Sequence, residues 1–269
     1  MTTPDEMGLT PEAARGYESY FVPAIFGQWP PIMAQIARIS AGDDVLDVGC
    51  GTGVFTREAM RLVGTSGTVT GADLSESMLT VARAKCPAAH LEQCSVTSLP
   101  FGDGQFDAVV SSFMLMFVPE PATGLKEMGR VLRPGGHMEI SVWEGLSSNA
   151  VYSALVDIVS DVVSEEAAES IAWPFALGAE GRLAELFEQA GLTENAVSIQ
   201  AGRALFPSVS EFVKTEIDSW LLADSVSEYR MAEIVARAES EFARYCDASG
   251  RIEFPFNAAV ASYVKPSSD

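Results

Sequence analysis

Residues 45–53 read Val45-Leu46-Asp47-Val48-Gly49-Cys50-Gly51-Thr52-Gly53, an apolar run that passes directly into a glycine-rich turn. Val45–Val48 has the composition of a strand in a buried parallel sheet, and the amphipathic stretch that follows the turn predicts a helix over Thr56–Val63. Gly49 and Gly51 remove side chains that would hold a ligand off the backbone, and Gly53 permits tight packing of helix on strand. Asp73 stands twenty residues beyond Gly53, at the end of a second β-rich run. There a carboxylate can accept two hydrogen bonds from a ribose diol. Strand, turn and spaced acid together predict a site for an adenosine-like ligand at the carboxyl edge of a parallel sheet.

Outward from this turn, β-rich runs at Val45–Val48, Thr68–Ala72, His90–Cys94, Asp107–Ser111 and Met138–Val142 alternate with helical stretches at Thr56–Val63, Ser77–Cys86 and Ala122–Val131. That alternation predicts an α/β fold, Rossmann-like and doubly wound, with a mostly parallel seven-stranded sheet whose last strand is antiparallel, plus helical lid elements. Pro134-Gly135-Gly136 is expected to stop the third helix. Upstream, the aromatic-rich stretch 11–40 reads as a helix, a bend at Trp29-Pro30-Pro31 and a second helix. Downstream, 146–173 reads as helical and acidic without a turn signal before Trp173-Pro174. Arg182–Ala190 ending at Gly191 is a further helix, Ala196–Ala201 and Arg203–Phe206 are expected to pair antiparallel around Gly202, and a helical stretch 208–245 precedes a β-like run at Ile252–Tyr263. The expected organisation is an N-terminal helical cap (1–41), a nucleotide-binding core (42–145), a helical lid insertion (146–191) and sheet-closing strands with C-terminal helices on the same domain (192–269).

The spacing also discriminates between ligands. A dinucleotide fingerprint is G-x-G-x-x-G, with a pyrophosphate at the helix N-terminus. Here the turn is G-x-G-x-G behind Asp47, and an acid in that position suits the cationic amino and sulfonium groups of S-adenosylmethionine better than a pyrophosphate. VLDVGCGTG (45–53), GADLSESML (71–79), SLPFGDGQFDAVVSS (98–112) and VLRPGG (131–136) together resemble the small-molecule class I S-adenosylmethionine-dependent methyltransferases, in the branch similar to ubiquinone and menaquinone biosynthesis methyltransferases. The likeness covers residues 43–143 and extends less specifically through 174–192 and 206–213.

The resemblance implies that Gly49, Gly51 and Gly53, with Cys50 between them, line the methionine moiety, that Asp73 holds the ribose hydroxyls, and that Leu74 and Met78 pack on the adenine. It places Ser95 and Val96 at the adenine edge, where the family often has an acid, so Ser95 is a departure that bonds more weakly than a carboxylate. Ser111 and Ser112, at the end of the fourth strand, lie where open α/β sheets place ligands. Tyr17, Tyr20, Phe21 and Trp29 are expected to form an aromatic lid whose π-faces favour a sulfonium, with Tyr17 and Tyr20 touching the cofactor.

Methyl transfer from a sulfonium is an in-line displacement, which demands alignment, exclusion of water and, for a protonated acceptor, a base. Catalytic residues are therefore unspecified by motif; Glu144, after the fifth strand, and Tyr20 are the candidates, and Trp143 reads as pocket wall or core. His90 and His137 fall at the amino ends of strands and read as structural. Phe113, Met114, Met116 and Phe117 form an apolar floor, which points to a small neutral or hydrophobic acceptor. Two alternatives share parts of the pattern: a non-catalytic binder of S-adenosylmethionine or S-adenosylhomocysteine, and a nicotinamide-dependent oxidoreductase, the latter disfavoured by the turn spacing and by the lack of a Tyr-x-x-x-Lys arrangement.

Lys plus Arg number 17 against 37 Asp plus Glu, a formal charge of −20. Such a field repels phosphate backbones, so a nucleic-acid partner is not expected. Apolar runs are too short to insert in a membrane, four cysteines form no C-x-x-C pair, and two histidines leave no metal set, which together predict a cytoplasmic protein without a metal. No sustained heptad seam marks an oligomer.

Overall fold

A parallel sheet must be covered on both faces, and the alternating strand and helix segments supply that cover. The computed structural model describes residues 10–193, 195–219 and 226–267. Its strands are β1 (Asp44–Val48), β2 (Thr68–Asp73), β3 (His90–Gln93), β4 (Phe106–Ser112), β5 (Leu132–Trp143), β6 (Ala196–Gln200), β7 (Arg203–Phe206), β8 (Ile252–Pro255) and β9 (Ala258–Val264). Among the described residues, seven strands form one sheet in the order β3-β2-β1-β4-β5-β9-β6, and β7 pairs with β8 apart from it. β1 is parallel to β2 and β4, β2 to β3, and β4 to β5. β9 runs the other way along β5: Gly135 and Lys265 exchange hydrogen bonds through Gly136 at one end, and Glu144 N–H donates to the Asn257 carbonyl at the other. This is the expected Rossmann-like sheet with its last strand antiparallel.

The helices are α1 (Pro11–Gly16), α2 (Val22–Ala24), α3 (Trp29–Ile36), α4 (Val54–Val63), α5 (Glu76–Lys85), α6 (Pro121–Val131), α7 (Ala150–Val162), α8 (Glu165–Ala172), α9 (Arg182–Gln189), α10 (Val209–Ser219) and α11 (Glu228–Glu241), with a π-turn at Tyr17–Phe21. Each sheet helix buries one stripe. In α4 it is Phe55, Thr56, Ala59 and Val63, the spacing of a helix against a flat surface. Val45 and Leu46 of β1 are both fully buried, so this strand is covered on both sides.

Several expectations are corrected. Pro134-Gly135-Gly136 does not end α6. The helix gives way at Leu132, already extended, and the three residues form an irregularity within β5, where the register with β4 shifts between Phe106 and Ala108. A Cβ at Gly136 would lie 2.7 Å from the Asp107 carbonyl oxygen, so glycine is needed for close approach. Ala196–Ala201 and Arg203–Phe206 do not pair. β6 joins the large sheet, whereas β7 pairs antiparallel with β8, Arg203 opposite Pro255 and Phe206 opposite Ile252. The bend near residue 29 comes earlier, at Ile25 and the 3-10 turn Phe26–Gln28, because Pro30 and Pro31 sit in the first turn of α3, where a missing N–H costs nothing. The stretch 146–173 breaks at Val163, and Ser164 caps α8.

Contacts divide the chain into two units: one runs to Val142 and includes Gly181–Gln200 and the chain from Ala259, the other comprises Trp143–Glu180 and Ala201–Ala258. The second unit is built on rings. Phe256 stacks on Trp143 at 4.0 Å and on Tyr152 at 4.7 Å, with Phe175 and Phe212 also against Tyr152. The Tyr152 hydroxyl donates to Glu216, which is 4% exposed, at 2.8 Å.

Candidate cofactor site

In the first unit the strand order reverses between β1 and β4, and at such a switch point the connections leave in opposite directions and open a crevice at the carboxyl ends. β1 delivers Gly49 to this crevice and β4 delivers Ser111 to Met114. Gly49, Gly51 and Gly53 have φ of +72°, +54° and +82°, a region that costs other residues about 1–2 kcal/mol. Their surroundings differ. A Cβ at Gly49 would lie 2.3 Å from Met114 Cγ and one at Gly53 2.6 Å from Cys86 Sγ, whereas one at Gly51 would meet nothing within 4 Å. Gly53 therefore admits the end of α5, and Gly51 presents bare backbone to open space, as a closely approaching ligand requires.

Backbone hydrogen bonds fasten the turn to β2. Gly49 and Cys50 N–H reach the Ala72 carbonyl at 2.7 and 3.0 Å, Gly51 N–H donates to Asp73 Oδ2 at 2.8 Å, and Ser75 N–H donates to Asp73 Oδ1 at 2.8 Å. Asp73 is thus oriented beside the turn. A carboxylate oxygen accepts more than one hydrogen bond, so these two contacts do not exhaust its capacity for a diol.

Asp47 lies beneath the turn. Its carboxylate is 1% exposed and accepts a 2.6 Å hydrogen bond from the Thr56 hydroxyl of α4. Burial raises its pKa to about 7 against the pull of that bond, and the charge of Asp73 adds to the rise. Cys50 is buried too, packed where a Cβ at Gly71 would come within 3.0 Å of its sulfur, and burial pushes its thiol up; its backbone alone belongs to the turn. Leu74 and Met78 are half-buried beside Asp73. The Ser95 hydroxyl shares a 2.8 Å hydrogen bond with Thr97, and Val96 packs against Gly124.

At the end of β4 the Ser111 and Ser112 hydroxyls are buried without a hydrogen-bond partner among the described residues, as is that of Ser141, opposite Ser112 on β5. A buried hydroxyl left unpaired costs about 1–3 kcal/mol, so this edge calls for a polar group. Phe113 follows with φ +57°, strain of the kind that collects at binding sites. Its ring packs edge-on to Trp29 at 5.3 Å and Phe26 at 5.6 Å, and Tyr17 lies against Phe26 at 5.1 Å. Burial raises the Tyr17 pKa, and the charges of Asp73, Glu18 and Asp47 raise it further. Tyr20, by contrast, is 64% exposed, and Trp29 is core at 1%.

Glu144 belongs to the second unit, where its carboxylate accepts from the Asn257 amide at 3.0 Å. Trp143 is buried in the stack with Phe256. His90 is exposed beside Glu92, and His137 is half-buried near Arg38 and Asp43, with burial lowering its pKa. Sequence reasoning missed Glu18, which accepts from Thr52 of the turn and from Arg57 and lies beside Lys85. No local pattern marks a contact between residues 34 apart.

The glycine turn at a switch point, open at Gly51 and tied to Asp73, fits an adenosine-bearing cofactor. The model of a methyltransferase domain matches residues 46–140. Demethylmenaquinone methyltransferase of Staphylococcus haemolyticus is 34% identical over 179 residues, covering 62% of this chain and 75% of the relative. Among solved structures, a Bacillus halodurans protein superposes with a TM-score of 0.61 at 18% identity, covering 88% of this chain and 99% of the other. Haemonchus contortus phosphoethanolamine N-methyltransferase 2, in complex with S-adenosyl-L-methionine, does so with a TM-score of 0.59 at 19% identity, covering 96% of this chain and 58% of the other. These likenesses at low identity establish the shared fold. The sequence relationship across three quarters of a demethylmenaquinone methyltransferase, joined to this fold, places the chain in the class I S-adenosylmethionine-dependent methyltransferases, with S-adenosylmethionine as its methyl donor.

Proposed function

We propose that this methyltransferase acts on a small, apolar, quinone-type acceptor by in-line displacement, with the glycine turn and Asp73 as the cofactor's anchor. The observation that carries the anchor is the 2.8 Å bond from Gly51 N–H to Asp73 Oδ2, which couples the open backbone of the turn to the acid that faces a ribose. The acceptor class rests on the demethylmenaquinone methyltransferases related to this chain and on the apolar residues Phe113, Met114 and Met116 that follow β4.

When bound, S-adenosylmethionine supplies an electrophilic methyl group, displaced from sulfur as S-adenosylhomocysteine leaves. The chain's own part is alignment and exclusion of water. Gly49, Gly51, Gly53 and the Cys50 backbone would line the methionine portion, Asp73 the ribose, and Leu74, Met78 and the Ser95-Val96 segment the adenine. Ser111 and Ser112 supply hydroxyls at the crevice, and Tyr17 closes it. Asp47 braces the turn through Thr56. Among the described residues no helix is long and apolar enough to cross a membrane, so an apolar acceptor must be reached without a helical span of these residues.

Calorimetric titration with S-adenosylhomocysteine tests the anchor. Wild-type protein is expected to bind in the micromolar range, and Asp73→Asn to lose at least about tenfold, or 1.4 kcal/mol. Folded wild-type protein that does not bind would overturn the residue assignment. Transfer of labelled methyl to a demethylated naphthohydroquinone tests the acceptor class; label that reaches only phosphoethanolamine would replace it.

A further inference from the structure

The π-turn Tyr17–Phe21 has no part in the sheet, and π-turns recur at functional sites. Its second residue is attached to the glycine turn. The Glu18 side chain, 13% exposed, accepts from the Thr52 hydroxyl at 2.5 Å and from Arg57 Nη2 at 3.2 Å, and lies 3.5 Å from Lys85 Nζ. Thr52 is in the glycine turn, Arg57 in α4 and Lys85 at the end of α5. Arg57 also donates through Nη1 to the Thr52 carbonyl at 3.2 Å, which closes a ring of contacts around a fully buried threonine.

The neighbouring Tyr17 reaches the opposite side of the crevice. Its ring packs on Phe26, and Phe26 packs on Phe113 at the end of β4. One short segment is therefore pinned at the glycine turn by Glu18 and at β4 by its rings, across the two strands whose ends define the crevice. The polar pin differs from the apolar one in kind. Arg57 and Lys85 remain 32% and 50% exposed, so their attraction for Glu18 is screened and reversible. A contact that must open and close in each catalytic cycle requires that.

We infer that Glu18 is a positioning residue for the cofactor: by fastening the segment 10–28 to Thr52 it closes the crevice between β1 and β4, and so sets the rate at which S-adenosylmethionine enters and S-adenosylhomocysteine leaves. The inference rests on the glycine turn being the cofactor site. It requires no contact between Glu18 and the cofactor.

The test is the dissociation rate of S-adenosylhomocysteine, displaced by excess S-adenosylmethionine, in wild type, Glu18→Gln, Arg57→Met and the double variant. Glu18→Gln is expected to release it about fivefold faster, the factor a partly exposed ion pair carries. The equilibrium constant changes less, because entry also quickens. Rising ionic strength should accelerate release from wild type and leave Glu18→Gln unchanged, and the double variant should match the single ones. Trypsin cleavage after Arg15, half-exposed on α1, should be suppressed by S-adenosylhomocysteine in wild type and not in Glu18→Gln. A variant that melts earlier yet keeps wild-type release rate, salt dependence and protection would overturn the latch and leave Glu18 merely structural. Should Glu18→Gln not fold, the salt dependence of wild type and the Arg57→Met rate decide, and salt-independent release overturns the inference. If wild type binds no S-adenosylhomocysteine, or Asp73→Asn binds it as well as wild type does, the cofactor assignment fails instead.

Discussion

The glycine turn of the first unit and the aromatic core of the second are held by opposite means. Around the turn, backbone N–H groups meet the Ala72 carbonyl and the Asp73 carboxylate, and three glycines take a conformation closed to most residues. In the second unit, Trp143, Tyr152, Phe175, Phe212, Phe254 and Phe256 lie ring against ring, with centroids from 4.0 to 6.3 Å apart. A rigid ligand demands one backbone path and hence particular residues at particular spacings. A core asks only for apolar volume and shape, which many sequences satisfy. For that reason the first region carries a motif and the second carries none.

Four substitutions and one condition would break or sharpen this contrast. Phe212→Ala removes a fully buried ring that touches Phe206, Tyr152 and Phe254 and should cost about 3–5 kcal/mol in urea unfolding. S-adenosylhomocysteine affinity of the folded fraction should stay unchanged, and a tenfold loss would erase the contrast. Gly49→Ala combines left-handed strain with a clash against Met114 and should cost about 2–3 kcal/mol. Gly51→Ala meets open space and should cost about 1 kcal/mol, while calorimetry finds cofactor binding lost in both. Tyr152→Phe takes a donor from the buried Glu216 carboxylate and should cost about 1.5 kcal/mol, again without changing affinity.

The last effect is one of pH. Asp47 and Glu139 are raised by burial to about 7, Glu139 despite its bond from Ser262 and the nearby Arg38. Both hold protons more tightly folded than unfolded. The stability they contribute is complete below their unfolded values near pH 4 and is lost as pH rises through about 7. The apoprotein should therefore melt at a lower temperature at about pH 8 than at about pH 5, and Asp47→Asn with Glu139→Gln should flatten that slope.

What could be read in advance follows the same division. β1, its turn and Asp73 were legible because strand composition, glycines suited to positive φ and an acid at a fixed spacing all act within thirty residues of one another. The path of β5 through Pro134 was not, since local chemistry favours a stop there, while the paired strands β4 and β9 hold the irregular segment in register. Gly202 likewise suggested a hairpin. Its N–H instead bonds the Asn257 side chain and its carbonyl accepts from Phe256, and β7 takes a partner 46 to 52 residues away.

The sequence by itself determined the class of fold and the glycine turn, because both depend on backbone geometry that only certain neighbouring residues permit, while the methyl donor followed from the likeness to known methyltransferases. Tertiary structure alone decided that Asp47 faces Thr56, that Glu18 reaches Thr52, that β6 and β7 part company and that six rings from scattered segments make one core. Those outcomes depend on which side chains meet across long loops, where burial and pairing outweigh any local preference.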